Sequence, residues 1–261
     1  MPAGNTKQSP GPQAFRVVSS EELSPAGRLH VRPRDDPAYA GGVTGAESKR
    51  LADLREEYTL GGLDRDDLDA DPVVMLERWL ADAIDADLRD PTAMVVATVS
   101  ATARPSSRMV LCKGLSAAGL VFYSNYESQK GEELAGQPWC AALFPWHPLQ
   151  RQVRVEGTVS RLDPADSDAY FATRPRPSQL GAVASPQSRV VPSRAWLDER
   201  YAEAEARHQE RDVPRPAYWG GYLISPERFE FWQGRKGRLH DRFRYLWAPT
   251  LQRWQVDRLA P

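Results

Sequence analysis

From Ala93 to the C-terminus the chain is written mostly in steps of two, and this period limits its fold more than any single residue does. Successive side chains of a strand point to opposite faces, so alternating or uniformly apolar runs bounded by turn residues read as strands. The run Ala93-Met94-Val95-Val96-Ala97-Thr98-Val99 is of the buried type and is closed by Ala103-Arg104-Pro105. Further strands are predicted over 107–113, 119–124, 139–146, 150–162, 220–225, 228–233, 238–247 and 253–259. The connections are mostly short and hairpin-like, without regular strand–helix–strand alternation. That pattern predicts a mainly β protein with attached helices (α+β), an antiparallel barrel in place of a doubly wound sheet. No GxGxxG follows a strand and no GxxxxGK[ST] occurs, so dinucleotide and P-loop readings find no support.

Helices are predicted where the period lengthens. A short one covers 51–58, ahead of Gly61-Gly62. Asp71-Pro72 offers an N-cap and a first-turn proline, Leu76, Leu80, Ala83 and Ile84 follow at helical spacing, and Asp90-Pro91 is the stop signal. Ser128 caps a helix over 129–135, Asp163-Pro164 opens one that ends at Arg174-Pro175, and Ser193 opens one with Leu197, Tyr201, Ala204 and His208 on a stripe. Residues 1–50 are rich in Pro, Gly, Ser and charge and read as a disordered tail, leaving 51–261 as the folded domain. With 261 residues and 41% of them hydrophobic, the chain has room for a sizeable core. A net charge of -1 gives no global field for nucleic acid or an anionic membrane, so a local cluster must hold any anion. Cys112 and Cys140 lack metal-type spacing and sit in apolar stretches, as buried thiols of a reducing cytoplasm would. No apolar run approaches membrane-spanning length and the N-terminus has no apolar h-region, so a cytoplasmic protein is expected.

Several clusters are suited to chemistry. In Phe231-Trp232-Gln233-Gly234-Arg235-Lys236-Gly237-Arg238-Leu239-His240-Asp241-Arg242, the two glycines bracket a turn. Counting by two from Arg238 puts Arg238, His240 and Arg242 on one face, which is either an anion-receiving surface or a solvated edge. In Arg108-Met109-Val110-Leu111-Cys112-Lys113 the odd separation puts Arg108 and Lys113 on opposite faces unless a bulge intervenes. Tyr123-Ser124-Asn125-Tyr126-Glu127-Ser128-Gln129-Lys130-Gly131 runs from a strand into a helix start, where free N–H groups, Ser and Lys suit a phosphate. Gln152 and Arg154 share a face opposite Val153 and Val155. Tyr170 and Arg174 are i and i+4 on one helix, with Ser178 just beyond, a donor set suited to a phosphate monoester. Gln187-Ser188 adds a polar pair in a Pro-flanked loop. Taken singly, each also fits an ordinary surface.

Taken in order, these segments resemble the pyridoxamine/pyridoxine 5'-phosphate oxidases, from about Leu54 to the terminal Arg258-Leu259-Ala260-Pro261. The landmarks are Arg55-Glu56-Glu57-Tyr58, the runs 91–99 and 108–113, Phe144-Pro145-Trp146-His147, the run 151–157, Tyr170-Phe171 with Ser178-Gln179-Leu180-Gly181-Ala182, Trp219-Gly220-Gly221-Tyr222, and the C-terminal cluster. The resemblance implies a split β-barrel that binds FMN at a homodimer interface. It implies that Arg108, Met109, Val110, Leu111, Lys113, Tyr123 and Ser124 line the flavin, and that Lys130, beside Gln129, takes its phosphate. Gln152, Gln187, Ser188, Trp232 and Arg242 would complete that site, some of them from the partner subunit. Lys113, Tyr170, Arg174 and Ser178 would hold the substrate phosphate. Arg238 and His240, the implied catalytic pair, would hold the pyridine ring against the flavin, and Arg55 and Tyr58 would close over it. Gln129-Lys130 departs from the usual Arg-Lys, and losing one charge-assisted contact of ~1.5–3 kcal/mol implies weaker FMN retention.

The implied reaction of vitamin B6 metabolism moves a hydride from substrate C4' to flavin N5, and O2 reoxidises the flavin to give peroxide. The product is pyridoxal 5'-phosphate, with ammonia released from the amine substrate. Two other readings share parts of this pattern. A split-barrel flavin or deazaflavin reductase does not need a second phosphate site, and a non-catalytic flavin or pyridoxal-phosphate carrier does not need Arg238 and His240.

Overall fold

A computed structural model describes residues 54, 57–209 and 211–261. The predicted tail, Arg55 and most of the predicted 51–58 helix lie outside the described residues; Leu54, Glu57 and Tyr58 are not helical. The described residues form an antiparallel half-barrel of nine strands. These are β1 (Ala93–Val99), β2 (Pro105–Leu111), β3 (Gly114–Ser116), β4 (Gly119–Asn125), β5 (Trp139–Trp146), β6 (Arg151–Arg161), β7 (Trp219–Gln233), β8 (Asp241–Ala248) and β9 (Arg253–Arg258). The sheet order is β2-β1-β5-β6-β7-β4-β3, with β8 and β9 added beside β7.

The two strands predicted over 220–225 and 228–233 are one, the 15-residue β7. It gives one edge to β6 and divides the other, residues 219–224 pairing with β4 and 228–233 with β8. Pro226 lacks an N–H for the ladder, and the register shifts opposite it, between Glu156 and Gly157. The backbones approach closely here: a Cβ on Gly157 would lie 2.1 Å from the Ser225 carbonyl oxygen.

Alternation sets what is buried. Val153 and Val155 of β6 are fully buried while Gln152 and Arg154 are not, as their spacing predicts. Met94, Val96, Phe122, Phe144, Phe229, Phe231 and Phe243 fill the same core. Helix α1 (Pro72–Asp85) covers it with Val73, Leu76, Trp79 and Ala83, and the Trp79 ring meets Phe231 edge-on at 5.2 Å. The Asp71 carboxylate accepts the Val73 N–H at 2.9 Å, as the cap signal predicts. This helix ends at Asp85, before the Asp90-Pro91 stop signal, with Asp87 in the left-handed region at φ 52°.

Helix α2 (Gln129–Gly136) follows the Ser128 cap. Three more helices, α3 (Pro164–Thr173), α4 (Arg176–Ala184) and α5 (Arg194–Arg207), enclose a second cluster of Phe171, Leu180, Ala184, Ala204, Val213 and Trp219. The spacing of 175–184 does not announce α4, because two prolines break the pattern. Pro177 lies in its first turn, where the missing N–H costs no helical bond. Cys112 and Cys140 are buried free thiols, as expected. Among the described residues no helix is long and apolar enough to cross a membrane.

Gly157→Ala should lower stability by about 1–3 kcal/mol, because the Ser225 backbone cannot move without opening the β6–β7 ladder. A wild-type urea midpoint for this variant would contradict that packing.

Candidate functional site

Strands β2 and β4, the start of α2, and α3 and α4 enclose a cavity of about 790 Å³. It gathers most of the residues singled out upstream of β7: Arg108, Met109, Val110, Leu111 and Lys113 from β2 and its end, Tyr123 and Ser124 from β4, and Gln129 and Lys130 from α2. Tyr170, Arg174, Ser178, Gln187 and Ser188 also line it. Strand β2 stops at Leu111, so the alternation that would set Arg108 and Lys113 on opposite faces does not reach Lys113, and both line one cavity. Four cations, Arg108, Lys113, Lys130 and Arg174, share its lining with no Asp or Glu among the described residues.

One end of the cavity is built around Lys130. Its side chain is 6% exposed, and Nζ donates to Ser124 Oγ at 2.9 Å, Ser128 Oγ at 3.2 Å and Gln187 Oε1 at 3.3 Å. All three acceptors are neutral, and no described carboxylate makes a salt bridge with it. Burial pulls its pKa down to about 8, and the Arg108 charge adds to that, with Glu133 opposing. A buried ammonium without a counter-ion is a seat for an anion.

The other end is aromatic and cationic. The Tyr170 ring stacks on Tyr123 at 3.7 Å, and both lie nearly parallel to Trp219. Arg174 falls just past α3 with an extended backbone, not on the helix as predicted, and its guanidinium lies over Trp219 at 4.6 Å. Its Nη1 is buried without a hydrogen-bond partner. Burial lowers the Arg174 pKa and raises that of Tyr170. An arginine edge held by stacking with a free donor suits a second anion. Ser178, expected just beyond α3, lies in the first turn of α4.

The remaining candidates do not line this cavity. Gln152, Trp232 and Arg242 stand in register across β6, β7 and β8. The Trp232 ring lies 4.6 Å from His240 and 5.7 Å from Tyr58, and Tyr58 lies 5.5 Å from His240. The shared face predicted for Arg238, His240 and Arg242 is not formed, because β8 begins only at Asp241. Gly237 and Arg238 are both left-handed, φ 63° and 64°, and this reversal breaks the period-two count. Arg242 pairs with Glu230 at 2.7 Å and donates to the Ala260 carbonyl at 2.8 Å. His240 Nδ1 accepts the Arg235 N–H at 3.1 Å; burial lowers its pKa, Arg238 adds to that and Asp241 opposes.

The sequence reading missed Glu133, which receives Gln129, Thr98, Ser106 and Arg108 beneath the Lys130 end. Two signals pointed to it. Thr98 is a polar residue on the buried face of β1, in phase with Met94 and Val96, and Glu133 is i+4 from Gln129 on a helix.

The unfolded chain holds the Lys130 proton to about pH 10.5, whereas the native state releases it near pH 8. Native stability therefore rises with pH across that window. Lys130→Met should stabilise the unliganded protein by about 1 kcal/mol at pH 7, with the gain shrinking toward pH 10. Urea midpoints at the two pH values check this, and no gain at pH 7 would contradict the uncompensated charge.

Residues 80–208 match the family model for pyridoxamine 5'-phosphate oxidase, and residues 219–261 match that for the pyridoxine 5'-phosphate oxidase C-terminal dimerisation region. A pyridoxine/pyridoxamine 5'-phosphate oxidase of a Nocardioides species is 56% identical over 81% of this chain and 98% of its own. The enzyme of that name from Bacteroides fragilis is 48% identical over 89% of this chain and 98% of its own. Among solved structures, PhzG from Burkholderia lata, in complex with tetrahydrophenazine-1-carboxylic acid, superposes with a TM-score of 0.73 at 30% identity. It covers 79% of this chain and 100% of its own.

Proposed function

The chain belongs to the pyridoxamine 5'-phosphate oxidase family, and we propose that it oxidises pyridoxamine and pyridoxine 5'-phosphates to pyridoxal 5'-phosphate, as an FMN-dependent homodimer using O2. The observation that carries this reading is a cavity lined by four cations, with no carboxylate among the described residues, and two separate anion seats. One seat suits the phosphate of a flavin and the other that of a phosphorylated substrate. A flavin reductase has no use for the second seat.

The residues fit FMN. Lys130 supplies the uncompensated charge, and the Ser124 and Gln187 oxygens that accept from its Nζ hold the ammonium in place before a phosphate arrives. Met109, Val110 and Leu111 offer apolar surface to a ring system, and Gln187 and Ser188 offer polar atoms to its edge. When bound, the flavin supplies the redox chemistry, accepting hydrogen from the substrate carbon and passing electrons to O2. At the other seat Arg174, with Tyr170, Ser178 and Lys113, would hold the substrate phosphate, and the unpartnered Arg174 Nη1 supports that role. Fixing that phosphate fixes the position of the distant reacting carbon.

A second copy completes the site. Trp219 lines the cavity and Trp232 carries the aromatic hairpin cluster, and they stand at opposite ends of β7. At ~3.3 Å per residue, the two ends are roughly 40 Å apart along the strand. Trp232, Arg238, His240 and Arg242 therefore serve the cavity of the other subunit, consistent with the dimerisation region matched by 219–261. His240 accepts at Nδ1, which leaves the neutral ring with its proton on Nε2. It holds the pyridine ring by donating from Nε2, not by removing a proton. Two buried free thiols support a reducing, cytoplasmic setting.

FMN-loaded protein given pyridoxine 5'-phosphate and O2 should yield aldehyde and peroxide. Arg174→Ala should raise KM for the phosphorylated substrate by about 10- to 100-fold. Absence of both products would reject the oxidase, and an unchanged KM would remove Arg174 from the substrate seat.

A further inference from the structure

Beneath the Lys130 end of the cavity lies a carboxylate that faces no ligand. Glu133, on α2, is 7% exposed and collects four partners. Ser106 Oγ approaches its two oxygens at 2.9 and 2.7 Å, Gln129 Nε2 donates at 2.9 Å, Arg108 Nη2 donates at 3.3 Å, and Thr98 Oγ1 donates as well. Both hydroxyls have a second role. Arg108 Nη1 donates to Thr98 Oγ1, and Arg108 Nη2 donates to Ser106 Oγ at 2.6 Å. Each hydroxyl thus accepts from the arginine fork and donates its own O–H to the carboxylate. Burial alone would raise the Glu133 pKa, but these hydrogen bonds and the Arg108 charge hold it at about 2, so it is an anion at working pH.

We propose that Glu133, acting through Thr98 and Ser106, is the positioning residue that aims Arg108 at the flavin phosphate. Arg108 spends Nη1 and Nη2 on the seat, while its Nε takes no part in it and the residue lines the cavity. A free arginine must give up rotamer freedom to grip an anion; a seated one has done so before the ligand arrives. Gln129 belongs to this seat: its amide N–H points at Glu133 and adds no charge to the cavity. Beside Lys130, whose proton Arg108 already destabilises, a neutral amide completes the seat without further repulsion. The proposal rests on the reading of the Lys130 end as a flavin-phosphate site.

The test is fluorescence titration of flavin-free protein with FMN and with riboflavin, which lacks the phosphate. Glu133→Gln should weaken FMN by about tenfold and leave riboflavin within about twofold. Ser106→Ala removes one hydroxyl while Thr98, Gln129 and Arg108 still meet the carboxylate, and should weaken FMN alone by about threefold. FMN binding that is unchanged or tighter in both variants overturns the proposal, and so does equal weakening of both ligands, the mark of general unfolding. Lys130→Ala separates this failure from that of the underlying reading. If it removes the wild-type preference for FMN over riboflavin while Glu133→Gln does not, only the seat falls. If the wild type shows no such preference, the phosphate site and the seat fall together.

Discussion

One strand ties the two functional regions to a single rigid element. The 15-residue β7 runs along the whole of β6, and its other edge holds β4 at one end and β8 at the other. Side chains near its start wall the cavity, and those near its end carry the aromatic hairpin. Because the strand is paired on both sides, it cannot bend to bring its own ends together. The proposed sharing of one site between two copies rests on that stiffness.

The electrostatics follow from where the acids have gone. The cavity keeps Arg108, Lys113, Lys130 and Arg174 with no carboxylate on its wall among the described residues, yet the chain is almost neutral overall. The balancing acids sit behind the wall or on the outer sheet face. Glu133 lies under Arg108, and Glu230 bridges Arg154 and Arg242 at 2.7 Å each. In the cavity, Lys130 and Arg174 are buried cations with unmet demand, one for charge and one for a hydrogen bond. A protein holding such groups before ligand binding carries a stability cost that the ligand then removes.

Much of this was legible in the residues. The apolar runs 93–99 and 139–146 and the alternation in 150–162 located three central strands to within a residue, because a buried strand face shows in local sequence. The caps at Asp71 and Ser128 were legible for the same local reason. The failures share a cause as well. Arg238 and Lys113 sit where a strand has stopped, and a count by two cannot know where pairing ends. The seat around Glu133 joins β1, β2 and α2, and Arg174 owes its place to Trp219, distant in sequence. Such contacts belong to the fold, not to any local pattern. Motif resemblance supplied the residue set, and the structure supplied its division between a cavity and a hairpin.

That division is tested most directly by mixing two damaged subunits. Arg174→Ala injures the cavity and His240→Asn injures the hairpin. If the site is shared between copies, random pairing of the two variants leaves one intact site in each mixed dimer. With substrate held below the wild-type KM, where the Arg174→Ala defect shows in the rate, the mixture should then recover roughly a quarter of the wild-type rate, well above either variant alone. A mixture no more active than the mean of its components would show that each chain builds its site unaided, contradicting the account.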